Sequence, residues 1–217
     1  MQSAHPVPGD PWPHEMLLSI QDSPHEAFEM LWVREAYGLE VSGDVPPPVL
    51  DTPAPAARTL DRSERARWET AWTALWAPVI AHAGRPTDSA AMDRLMRSDL
   101  DAEERATLLA EVSGPSWRDE FGDDVFDDPS YRDAQERAFA ARRTARPHAF
   151  AEIPERRDVE ALVPAWRRGL VQIVVLPCRG AYVRTLGAAG LLVTPEIRAD
   201  SAAYRAALAS FAPTPPS

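Results

Sequence analysis

The sequence predicts an α+β fold, predominantly helical, with a small antiparallel three-stranded sheet near the C-terminus. Three observations carry this. Capped, amphipathic helical stretches fill the first two-thirds of the chain. The run LVQIVVL, 170–176, is β-branched and bounded by Gly169 and Pro177, which reads as a buried strand. Two apolar segments, 181–186 and 191–194, flank the four residues Gly187 to Gly190 and read as a hairpin.

Taken in order, residues 1–14 carry Pro6, Pro8, Pro11 and Pro13, an alternation that keeps the chain extended. They form a proline-rich arm, with Trp12 to pin it to the body. The first helix opens at SPHE: Ser23 to cap, Pro24 at the first position and Glu26 to complete a capping box. Phe28, Leu31 and Trp32 share a face, and Gly38 stops the helix. Residues 42–59 hold five prolines, which exclude a helix or central strand and leave a semi-rigid connector.

A second helix starts at Asp61 and puts Trp68, Trp72 and Trp76 on one side, with Pro78 expected to kink or restart it. A third, Thr87 to Arg97, is expected to bury Met92, Leu95 and Met96. A fourth, from Asp101 to Gly114, is expected to bury Leu108, Leu109 and Val112. Asp128 and Pro129 open a fifth that runs to Thr144. Residues 157–169 are helical despite Pro164, and 149–153 is a candidate further strand. A closing helix capped by Asp200 or Ser201 carries Tyr204, Leu208 and Phe211. Residues 15–211 thus read as a single α+β domain, with 212–217 as a disordered tail.

The chain has no lysine and no asparagine, and its 23 basic residues are all arginine. Lys and Asn use A-rich codons, so this is base composition and points to a GC-rich bacterial genome. One cysteine excludes an intramolecular disulfide. The N-terminus lacks a basic start and an apolar stretch, and the uncharged runs are too short to span a bilayer, so a cytoplasmic protein without membrane contact is expected. Charge is uneven: residues 1–131 carry a net −15 and residues 132–184 a net +5, within a total of −10. Such a field repels nucleic acid and favours basic partners.

The segment SWRDEFGDDVFDDP, 116–129, interleaves Trp117, Phe121 and Phe126 with Asp123, Asp124, Asp127 and Asp128. It reads as a partner-binding surface whose acids steer a basic protein. The competing reading turns the rings inward and the acids to water. The spacing does not fit a calcium loop, since positions 3 and 12 counted from Asp123 are Val125 and Ala134. The histidines show no zinc spacing, and no nucleotide-loop motif occurs, so no metal and no cofactor are expected. The tryptophan row is read as core rather than as a stacking platform. The arginine pairs 142–143, 156–157 and 167–168 have no nucleic-acid motif around them and can pair with the acidic segment.

The expected function is therefore a non-catalytic, adaptor-like or inhibitor-like protein-binding module, with homo-oligomer contacts through the proline-rich segments. The alternative is a cysteine-dependent phosphatase-like enzyme. Cys178, five intervening residues, Arg184 and Thr185 match the skeleton of a loop in which a thiolate attacks phosphorus and an arginine holds the oxygens. Against this, Tyr182 and Val183 prefer extended geometry where such a loop needs small residues whose amides converge on the anion. A strand, not a helix, follows Arg184.

Overall fold

The computed structural model describes residues 11–86, 89–96, 101–144 and 152–214. It is a mixed α/β structure built on one four-stranded sheet. The strands are β1 (Ser19–Asp22), β2 (Gln172–Val175), β3 (Val183–Leu186) and β4 (Gly190–Val193), in the order β1-β2-β4-β3. β1 pairs parallel to β2 and β2 parallel to β4, while β3 and β4 form the expected antiparallel hairpin.

The expected three-stranded antiparallel meander is thus corrected to a mixed sheet of four strands. The reason lies in the side chains. β4, GLLV, is buried at every position, as is β2, QIVV, so both need cover on two faces and take the centre. β3 carries Arg184 and Thr185 and stays at an edge. After β2 the chain therefore skips one strand position, lays down β3, and returns β4 into the gap. β1, SIQD, is polar and mostly exposed and occupies the other edge. The candidate strand 149–153 is not one: 149–151 lie outside the described residues, and 152–153 are not in a strand.

Helices cover both faces. Val174, Leu186 and Leu192 point into one core, with α1 (His25–Ala36), α2 (Arg62–Ala83), α5 (Trp117–Phe121) and the start of α6 (Pro129–Thr144). Ile173, Val175, Leu191 and Val193 point into a second core, with α8 (Val159–Arg167), which follows the one-turn α7 (Pro154–Arg157), and with α9 (Pro195–Ala199) and α10 (Ser201–Ser210). Alternation along each strand sends successive side chains to opposite layers. Trp12, 3 % exposed, joins the second core beside Met16 and Leu18.

α2 opens with the expected capping box between Asp61 and Glu64 and puts Trp68, Trp72 and Trp76 in the core, where Trp72 and Trp76 stack. It runs unbroken through Pro78. At its end Gly84 meets the hairpin so closely that a Cβ on Gly190 would lie 2.6 Å from the Gly84 carbonyl oxygen. Two expectations for the next helices are corrected. In α3 (Ser89–Leu95) Ala91 is buried, Leu95 is half-buried and Met92 faces solvent, as does Met96 just beyond the helix; in α4 (Ala102–Ser113) Leu108 is buried, Val112 is half-buried and Leu109 is exposed. This helical pair packs mainly on itself, so its stripe is only partly covered.

The connector lies against its own chain. Arg34, buried on α1, donates to the carbonyls of Pro46 (2.7 Å) and Pro47 (2.9 Å). Val49 bridges Cys178, and Leu50 donates to the Pro177 carbonyl at 2.8 Å. Prolines supply acceptors without donors, and a buried guanidinium is the group that satisfies several of them at once.

Candidate functional site

The 116–129 segment folds as a short helix, a turn at Gly122 and a 3-10 helix (Asp124–Asp127). Ser116 and Asp119 close a capping box at its start. Gly122, at φ 77°, makes the turn that a side chain would strain. This geometry separates the two residue types. Trp117 is fully buried and Phe126 is 5 % exposed, so the expectation that these rings form the outer surface is corrected. Phe121 is half-buried under Arg67, whose guanidinium sits 4.8 Å from the ring. Trp117 stacks on Phe121 and meets Trp68 edge-on, and Phe126 packs between Trp32 and Tyr131. Rings of this size gain more from the core than from solvent.

The carboxylates point the other way. Asp119, Glu120, Asp123, Asp124 and Asp127 are exposed. Asp128 is half-buried and structural: it accepts from the amides of Ala57 and Ser130, both at 2.8 Å. Burial alone would raise its carboxyl; the two amides, with the Ser130 side chain and the Arg132 charge, together hold it low. Asp123 pairs with Arg118 at 2.6 Å and Asp119 accepts from the Ser116 amide, whereas Glu120, Asp124 and Asp127 are the acids of the set with no such structural bond described. Alongside runs an open trough of about 600 Å³ on the outer face of α2, floored by Ala66, Ala71, Ala74 and Leu75 and edged by Arg67 and Glu120.

Beneath the segment is an arrangement the sequence reading missed. Glu29 on α1 is buried. Its Oε1 accepts from Arg118 Nε at 2.8 Å and Tyr131 Oη at 2.9 Å, and lies 3.0 Å from His25 Nε2. Burial alone would raise the Glu29 carboxyl, but His25 and Arg118 together bring it below its ordinary range. The hydrogen bond to Glu29 correspondingly raises His25, and burial beside Glu29 pushes the Tyr131 phenol up. Arg118 also covers Phe126, its guanidinium 4.3 Å from the ring. One buried carboxylate therefore ties the acidic segment to α1 and to α6. The legible signal is the i, i+4 spacing of His25 and Glu29 on α1.

Ser23 does not cap α1. It stands at φ 55°, the one positive-φ non-glycine residue among those described, and its Oγ is buried without a partner.

The cysteine of the alternative reading lies elsewhere. Cys178 is fully buried under Val49 of the connector, and burial pushes its thiol up to about 12. Arg184 lies on strand β3 and pairs with Asp44 of the connector. Residues 178–185 thus run from a buried bridge into an edge strand, and the thiol is held in its neutral form. A nucleophilic thiolate needs the opposite environment, accessible and electropositive.

Among the described residues, no three His, Cys, Asp or Glu side chains converge as a metal site would require, and no helix is long and apolar enough to cross a membrane. No known protein family, curated protein or solved structure matches the chain.

Proposed function

We propose that this chain is a cytoplasmic, non-catalytic protein-binding module that presents the acidic face at 119–127 to a basic protein partner. The observation that carries this is the division of the 116–129 segment. Its rings are anchored in the core, and five carboxylates stand outside, beside the open trough of α2. A surface held this way keeps its charges in fixed positions, so little ordering is lost when a partner binds. The carboxylates steer an arginine- or lysine-rich surface, and the apolar floor of the trough supplies burial once it docks. The net −15 of residues 1–131 extends the same field.

The test is a charge reversal that spares the structural acids. The Asp124→Arg, Asp127→Arg double variant leaves Asp119, Asp123 and Asp128 in their hydrogen bonds. Native-host partners are captured with wild-type protein, with this variant, and with Glu160→Arg, a control on the exposed face of α8. The reading expects a basic partner retained by wild type and by the control and lost from the double variant. The same partners in all three captures would remove this face as the interface.

A further inference from the structure

A second concave feature lies away from the acidic face. Between α1 and α6 is a cleft of about 320 Å³. Ser23, His25 and Phe28 line one wall. Gln135, Ala138, Phe139 and Arg142 line the other, at i, i+3, i+4 and i+7 along α6, which puts them on one helical face. The volume is at the lower end for small-molecule sites, which run from about 300 to 1,000 Å³.

The chemistry of the walls is specific. Phe139 is 56 % exposed, a ring left in water on a helix that elsewhere buries Tyr131 and Ala134. Phe28 faces it across the cleft, half-buried. Arg142 is exposed, and Arg143 lies over the Phe139 ring with its guanidinium 5.9 Å from the centroid. His25 gives one ring nitrogen to Glu29 and keeps the other. Glu29 is itself engaged by Arg118 and His25. Ser23 supplies a buried hydroxyl with no partner, on a backbone held at φ 55°. Buried hydroxyls are ordinarily bonded, and an orphan lining a cleft marks a donor awaiting an acceptor. Arg142 thus brings a positive charge to the cleft lining, with Glu26 acting on His25 from the first turn of α1.

We infer that the α1–α6 cleft binds a small aromatic carboxylate, its acid group against Arg142 and His25 and its ring against Phe28 and Phe139. Arginine supplies a planar pair of donors that fits a carboxylate, and the flanking rings remove the apolar body from water. Neutral aromatics lack the first contact, and inorganic anions lack the second.

The probe is 4-fluorobenzoate, followed by fluorine NMR with the full chain. Binding is expected in the range of about 0.1–1 mM, as befits a ligand of this size. Arg142→Gln should weaken it by about tenfold or more, through loss of the charge-assisted bond, and Phe139→Ala should weaken it severalfold. Both residues are exposed, so both variants are expected to keep the wild-type circular dichroism. 4-Fluorobenzyl alcohol, the neutral analogue, should bind at least tenfold more weakly, and the Asp124→Arg, Asp127→Arg variant should bind the probe as wild type does. Absence of any change up to about 10 mM would overturn the inference. So would equal binding of the neutral analogue, or binding that Arg142→Gln leaves untouched.

Discussion

Glu29→Gln is the substitution with the most to say about how the acidic face is held. The side chain is 1 % exposed and its Oε1 serves three donors, from His25, Arg118 and Tyr131. Glutamine keeps the shape and an oxygen acceptor for the three donors but removes the charge, with its amide nitrogen in the place of Oε2, which has no partner. Removing one partner of a buried ion pair costs about 3–5 kcal/mol. The Arg118 and His25 side chains are 32 % and 56 % exposed, so water recovers part of their charge stabilisation. The expected loss is therefore about 2–3 kcal/mol, which at a typical slope lowers the urea midpoint by roughly 1 M. Equilibrium urea unfolding at pH 7 reads this directly. A loss below about 0.5 kcal/mol, the scatter of an ordinary surface change, would refute the claim that this carboxylate fastens the segment.

The same network sets a pH dependence with a definite sign. The Glu29 carboxyl is lowered in the fold, so its contribution is complete above the unfolded value of about 4.3 and is lost as pH falls through the folded value. His25 is raised, so its contribution is complete below about 6.5 and is lost as pH rises through its higher folded value. Stability should therefore fall on both sides of a plateau between those limits, and Glu29→Gln should flatten both flanks.

Three further outcomes follow. Asp124→Arg with Asp127→Arg should change stability by no more than about 0.5 kcal/mol by thermal or urea unfolding, because neither side chain has a described structural bond. Native Cys178 should resist iodoacetamide, and Arg34→Ala, which frees the Pro46 and Pro47 carbonyls, should speed alkylation by loosening the roof; mass spectrometry of the modified protein reads both. Ser23→Gly should raise stability by roughly 1 kcal/mol in a melting experiment, since it removes a positive-φ side chain and an unpaired hydroxyl.

Much of the fold was legible. The helix starts at Asp61 and Asp101, the Trp68–Trp72–Trp76 stripe and the Val183–Val193 hairpin all follow from local rules, and the structure has each of them. β1 was not legible. SIQD has one apolar residue, and its place depends on pairing with β2 some 150 positions later, which no local pattern encodes. The parallel pairing of β2 with β4 had a signal in the uninterrupted apolar character of both strands, but consecutive order suggested a meander instead. At the candidate site, the composition of 116–129 singled out an aromatic, acidic segment, and the outward placing of its rings did not hold. Trp117, Phe121 and Phe126 share the inner side only because Gly122 turns the chain between two short helices, and the turn angle is not written in the spacing. Glu29 was hidden because burial of a carboxylate requires Arg118 and Tyr131, 89 and 102 positions away.

The most direct test of the account is the affinity of a purified, captured partner for this chain, measured by calorimetry across a salt series. The acidic face at 119–127 predicts affinity that falls steeply with salt and drops by about tenfold or more in the Asp124→Arg, Asp127→Arg variant, with the salt slope flattened. Affinity and salt slope unchanged by that double reversal would contradict it.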